Sequence, residues 1–195
     1  MIMAREFGCI KGCSDCCIVR EYYPSIRFGK IGVLLLPDEV PLIEEQARLN
    51  GVAVKIVPRI AVGRDAPEKI IAYQMMGKNP DGDLCPFLAA ESDARSPHGG
   101  FTCGIYENRP AACRAYPLVE SEGTVKLDDH CKFCRELSTA TADANSLRGE
   151  AEALKTIKEQ VRVTDDSHNV WRYATATGRP EDIGRMLPEG WVMEE

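Results

Sequence analysis

The sequence predicts an α+β fold in a single compact domain. Three observations predict it. Short strand-like runs flank one early helical segment. Apolar residues recur at helical spacing from about Asn145 to Arg162. Nine cysteines fall in three tight groups, leaving 18–84 and 135–195 free of them for conventional secondary structure. Val33-Leu34-Leu35-Leu36 reads as a short buried strand. Asp38 is placed to N-cap a helix whose first turn holds Pro41, where a missing N–H costs little. Val40, Ile43 and Ala47 share one face of that helix, and Asn50-Gly51 ends it. Val52–Val57 and Lys69–Met75 read as strands separated by a turn region bearing Gly and Pro. A hairpin is expected around Glu122-Gly123, joining Pro117–Glu120 to Thr124–Leu127. Leu147, Ala151, Leu154, Ile157 and Val161 then form the stripe of a long amphipathic helix that must pack on the rest of the chain. The last thirty residues carry Trp171, Tyr173 and Trp191 among polar residues, and a short docked helix with a loose end is expected there.

The 195 residues are enough for one hydrophobic core. With 28% charged and 44% hydrophobic residues, the composition is that of an ordinary globular chain rather than a disordered one. A net charge of −6 supplies no broad basic field for a phosphate backbone, so nucleic acid is not an expected partner. The start, Met1-Ile2-Met3-Ala4-Arg5-Glu6-Phe7, lacks the sustained apolar stretch of a signal peptide. The longest aliphatic run, Ile31 to Leu36, is too short to span a bilayer. The expectation is a cytoplasmic chain with no membrane partner. Disulfides rarely persist in that reducing compartment, and an odd number of cysteines fits a disulfide framework poorly. No G-x-x-x-x-G-K-[ST] loop and no G-x-G-x-x-G after a strand is present, so nucleotide binding by those routes is unsupported.

The cysteines therefore need another purpose. Cys9, Cys13, Cys16 and Cys17 form the first group, Cys85, Cys103 and Cys113 the second, and Cys131 and Cys134 the third. Cys13-Ser14-Asp15-Cys16 and Cys131-Lys132-Phe133-Cys134 are both CxxC pairs. That spacing lets two thiolates point at one ion while intervening N–H groups bond to sulfur. The grouping predicts cysteine-ligated metal, an iron–sulfur cluster by preference and zinc as the alternative. Buried cysteine that merely packs would be scattered instead. Cys16 and Cys17 are neighbours. In an extended segment their side chains diverge, so they are expected to serve different metals, or one ligates while the other is buried structure. Nine thiols could complete two four-thiolate sites with one left over, or one site with five spare. His130, Asp81 and Asp83 are alternative ligands, whereas His98 and His168 read as ordinary surface or loop residues. Glu107 to Arg114 is expected to form a short helix with Pro110 in its first turn, bracketed by Cys103 and Cys113 and stopped by Pro117. Arg109 and Arg114 are the candidate cofactor-binding residues. A guanidinium near a thiolate-rich cluster offsets its charge and raises its reduction potential, or else it bonds carbonyls and acids such as Glu107. Tyr106 and Tyr116 read as core packing. The boundaries that follow are 1–134 for a cysteine-cluster metal-binding domain and 135–195 for a helical segment packed on it.

Several of these residues resemble a known family. Cys13-Ser-Asp-Cys16-Cys17, then Cys85-Pro86-Phe87-Leu88, then Cys103-Gly-Ile105-Tyr106-Glu-Asn-Arg109-Pro110-Ala-Ala-Cys113-Arg114-Ala-Tyr116-Pro117 look like the CxxCxxCC cysteine-cluster family. The resemblance covers about residues 9–134, and the C-x-I-Y-x-x-R-P-x-x-C-R-x-Y-P stretch is its most specific part. One departure is that three residues, not two, separate Cys9 from Cys13. The resemblance implies a zinc- or iron-chelating protein, often labelled an iron–sulfur oxidoreductase. A related cluster in flagellin lysine N-methylase allows a protein-modifying enzyme. A zinc module for protein–protein contact is the structural alternative.

Cys9, Cys13 and Cys16 also spell C-x3-C-x2-C, the spacing that leaves one iron open in radical S-adenosylmethionine enzymes. Those enzymes resemble partial α/β barrels, and only one strand–helix unit is legible in that region here. An aromatic usually precedes their third cysteine, where this chain has Asp15. That reading also leaves Cys85, Cys103 and Cys113 unexplained.

Overall fold

The computed structural model describes residues 13–18, 22–25, 27–78, 84–93, 100–120, 126–128, 130–132, 134, 144–162, 169–175 and 189–194. Elements are numbered along these residues. The strands are β1 (Tyr22–Ser25), β2 (Gly29–Ile31), β3 (Val33–Leu35), β4 (Ile56–Gly63), β5 (Lys69–Met75), β6 (Leu88–Ala89), β7 (Thr102–Cys103), β8 (Leu118–Glu120), β9 (Lys126–Leu127), β10 (Asn169–Ala174) and β11 (Gly190–Met193). The helices are α1 (Asp15–Ile18), α2 (Glu39–Asn50), α3 (Ala111–Ala115) and α4 (Arg148–Val161).

A five-stranded antiparallel sheet, ordered β11-β10-β4-β5-β3, forms the scaffold. Helices and sheet share one chain, as the α+β expectation requires. The strand expected at 52–57 begins later, at Ile56. Val52 is still occupied in ending α2, its N–H donating to Ala47 O at 3.0 Å, and the ladder starts where Ile56 faces Met75. The same strand runs on through Pro58 to Gly63, residues expected in the turn. Pro58 is tolerated because β10 pairs with β4 only over Ile60–Gly63, so the proline needs no N–H on that side.

Of the last thirty residues, 169–175 and 189–194 are described and hold two strands, and the rest of the stretch expected to carry a short docked helix lies outside the described residues. β10 lies against β4, and β11 pairs with β10, where Tyr173 meets Trp191 edge to face at 5.2 Å. Trp171 Nε1 donates to Gly63 O at 3.0 Å. Alternating aromatic and polar residues suit a half-covered strand once a sheet edge is available to receive them.

α2 follows its sequence closely. Ile43 and Ala47 are buried and Val40 half-buried. Gly51 closes the helix in the left-handed region at φ 63°. Asp38 occupies the N-cap position but makes no side-chain cap bond; Glu39 Oε2 instead accepts from Leu36 N–H at 2.9 Å. In α4, Leu147 just before it and Leu154 within it are buried, while Ala151, Ile157 and Val161 are half-buried. Ala153 and Leu154 pack on Ala115 and Leu118, which seats α4 beside α3 and β8. The expected hairpin pairs Leu118 with Leu127, and its turn residues lie outside the described ones.

The main core joins Val33, Leu35, Ile43, Met75, Phe87, Leu88 and Ile105. Gly32 is forced by close approach there. A Cβ at this position would meet Met75 O at 2.2 Å, and a backbone oxygen cannot swing aside. Its N–H donates to the fully buried Gln74 Oε1 at 3.0 Å. Gly32→Ala is expected to lower stability by about 1–3 kcal/mol. The urea midpoint checks it; an unchanged midpoint would show that β3 can shift at no cost.

Candidate metal centre

The cysteines come from distant segments, and backbone hydrogen bonds assemble them. Residues 14–18 close a helical turn, with Cys17 N–H donating to Ser14 O at 2.8 Å and Ile18 N–H at 3.1 Å. Cys85 N–H donates to Cys17 O at 2.8 Å, fastening the second group to the first. Ser14 is buried, and its Oγ accepts from Phe101 N–H at 2.8 Å. This brings Cys103, on β7, alongside. β7 is in turn held by β6, Leu88 opposite Cys103. Gly100 permits the approach, since a Cβ there would fall 2.2 Å from Cys13 O and 2.4 Å from Ser14 Oγ.

Cys113 arrives on α3. The helix expected over Glu107–Arg114 is split. Tyr106–Asn108 form a 3-10 turn, Arg109 and Pro110 are extended, and α3 starts at Ala111. Proline disfavours helical backbone in the residue before it, and Arg109 accordingly sits at ψ 139°. Pro110 becomes the N-cap residue rather than part of the first turn. The first N–H of α3 is met from afar, Glu39 Oε1 accepting from the buried Ala111 N–H at 2.7 Å. One carboxylate thus ties the first turns of α2 and α3 together.

Seven cysteines line one cavity of about 200 Å³: Cys13, Cys16, Cys17, Cys85, Cys103, Cys113 and Cys131. Cys134 is buried beside Cys131 under Tyr116 and Leu127. None of the eight described cysteines is in a disulfide. Cys9 lies outside the described residues, as do Asp81, Asp83, His98 and His168. His130 is exposed and its Nδ1 donates to Asp128 Oδ1 at 2.9 Å. Cys16 and Cys17 do not diverge as an extended segment would make them. In the helical turn their sulfurs stand 3.9 Å apart.

Both candidate arginines border the cavity, with Lys132. Arg109 stacks on Tyr106, its Cζ 3.8 Å from the ring centroid, and its Nε donates to Tyr106 O at 2.8 Å. It is therefore a structural residue that also faces the thiols. Arg114 is exposed at the rim. Sequence reasoning missed Ser14 and Gly100. A Gly-Gly pair shortly before a cysteine is a signal of close backbone approach; nothing in sequence marks Ser14.

The cavity disfavours a bare thiolate at Cys13. Burial pushes the Cys13 thiol up, as do the charges of Asp15, Cys16 and Cys131, while a hydrogen bond from the Asp15 backbone acts the other way. Tyr116 is pushed far up, first by burial and then by the charges of Asp128, Cys131, Cys16 and Cys134. The donor set fits a soft metal, since thiolates select zinc, copper(I) and iron–sulfur clusters. Met75, Phe87 and Ile105 give the cavity an apolar wall. Among the described residues no three His, Cys, Asp or Glu side chains stand close enough to hold a single ion. The thiols surround a space rather than a point.

A family model described as CxxCxxCC, putative zinc- or iron-chelating domain, matches residues 8–132. The chain belongs to this family. The CxxCxxCC match takes in every cysteine from Cys9 to Cys131 and stops short of Cys134. It supports metal binding in general and leaves the metal open. No curated protein and no solved structure matches the chain. No helix among the described residues is long and apolar enough to cross a membrane.

Tyr116 yields a test of this CxxCxxCC site. Its phenolate is disfavoured when folded, whereas the unfolded chain loses that proton near pH 10, so above about 10 the unfolded state binds fewer protons. Stability of the metal-free protein is expected to fall as pH rises through that range, and Tyr116→Phe to flatten the fall. Urea midpoints between pH 9 and 11 compare the two, and equal slopes would remove Tyr116 as a source.

Proposed function

We propose that the chain binds iron as an iron–sulfur cluster through its clustered cysteines and serves a redox role. Its ligands in this reading are drawn from Cys13, Cys16, Cys17, Cys85, Cys103, Cys113, Cys131 and Cys134, with Cys9 a further candidate. The observation that carries it is the single cavity lined by seven thiols from segments spread over more than half the chain. Its volume exceeds what one ion needs, which favours a cluster over mononuclear zinc. An iron–sulfur cluster supplies one-electron transfer. The thiolates hold it, the apolar wall keeps water away, and Arg109 and Arg114 offset its negative charge. Because the ligands join remote segments, metal binding contributes to folding. Zinc in the same thiols, as a structural module for protein contacts, is the second reading. It is favoured by the predominance of cysteine among the metal-binding side chains of the lining, which suits structural zinc.

Protein purified without air is expected to be brown, with iron and sulfide in comparable amounts. A colourless protein carrying zinc would favour the second reading, since zinc(II) is d¹⁰. Less than about half an equivalent of any metal, with Cys13, Cys16, Cys85 and Cys113 variants folding normally, would overturn both. Arg109→Gln and Arg114→Gln are expected to lower the reduction potential of the cluster-bearing protein, as voltammetry would read. An unmoved potential would leave Arg109 its contact with Tyr106 alone.

A further inference from the structure

Neighbouring side chains in an extended segment point to opposite sides, but Cys16 and Cys17 lie in the helical turn of α1. There consecutive side chains differ by only about 100° around the axis. The two sulfurs stand 3.9 Å apart. That distance has a chemical meaning. Two thiolates on one tetrahedral metal, each bonded at about 2.3 Å, are about 3.8 Å from one another. Two thiolates on neighbouring irons of a cluster stand farther apart, because the terminal bonds of a cluster point outward from its centre.

The backbone holds the pair in place. Cys17 N–H donates to Ser14 O, and Cys17 O accepts from Cys85 N–H, both at 2.8 Å. Ser14 is itself buried and bonded to Phe101 N–H. Both cysteines line the cavity, and Cys17 packs on the main core. Ligands held before the metal arrives lose little freedom on binding it.

Clusters differ in what they ask of such a pair. Four cysteines shared among four irons give each iron one thiolate, whereas four shared between two irons give each iron two. In the two-iron cluster, bridging sulfide fills the remaining two positions of each iron. Structural zinc instead takes all four ligands from the protein. Among the described residues one pair of thiols stands at the one-metal distance, while no three metal-binding side chains are close enough to hold a single ion. A pair is what each iron of the two-iron cluster requires.

We propose that Cys16 and Cys17 ligate the same iron of a [2Fe–2S] cluster, the other iron being held by two of the remaining thiols. The inference rests on the iron–sulfur reading above and adds to it the kind of cluster and the ligand pair of one iron.

The full chain is loaded under argon with sulfide and isotopically enriched iron. Two irons and two sulfides per chain are expected. Four of each overturn the proposal and leave the iron–sulfur reading standing. A chain that takes up no cluster overturns both. The pairing is read by Mössbauer spectroscopy of the double variant Cys16→Ser with Cys17→Ser. Serine offers iron a harder oxygen donor, so the signal of one iron is expected to shift, half of the total, while the other half stays in place. A shift of both halves puts the two cysteines on different irons and overturns the pairing. A measurement without variants decides the case in which the double variant takes up no cluster. Phenylarsine oxide binds two thiols on one arsenic and releases water. With one equivalent on the reduced, metal-free chain, Cys16 and Cys17 are expected to be protected together from alkylation, as mass spectrometry maps. Arsenic held by any other pair overturns the proposal.

Discussion

Two hydrogen bonds carry the N-terminal cysteines onto the rest of the molecule. Phe101 N–H reaches Ser14 Oγ across 87 residues, and Cys85 N–H reaches Cys17 O. The thiol-lined cavity depends on both. Closing loops of that length costs conformational entropy, which local bonds alone offset only in part. The remainder must come from what the closure creates, a buried wall of sulfur and apolar carbon that a metal can join. Gly100 shows how tight the seam is, because even one added methyl would enter the Cys13–Ser14 backbone.

The cavity is also an electrostatic problem. Thiolates from several segments share a poorly solvated space, and their mutual repulsion adds to the burial that raises Cys13 and Tyr116. A soft cation reverses both effects, since a coordinated thiol loses its proton outright. The cations at the border, Arg109, Arg114 and Lys132, moderate the field without replacing that central charge. Stacking of Arg109 on Tyr106 keeps its guanidinium in place at this border.

The sheet sets the distances at which this happens. β3, β5 and α2 supply the core on which Cys17, Cys85, Cys103 and Cys113 rest. Glu39 then positions α3 from the start of α2, and α4 holds α3 from its other side through Ala153 and Leu154. The C-terminal strands extend the sheet on the edge remote from β3, so they stiffen the scaffold rather than shape the cavity.

Some of this was legible residue by residue. β3, β5, α2 and the α4 stripe follow from local periodicity, and Gly51 follows from the need for a left-handed residue after a helix. The grouping of cysteines by spacing marked the site before any fold was known. Other features were not local. Pro110 splits a predicted helix because it constrains Arg109, an effect the sequence contains but whose outcome depended on Glu39 meeting Ala111. Residues 169–174 became a strand because β4 offered an unpaired edge. The sequence by itself determined which atoms are available for metal, a set of thiols whose softness as donors does not depend on fold. Only the tertiary structure decided which thiols meet. Spacing along the chain says nothing of a cavity closed by hydrogen bonds between residues far apart in sequence.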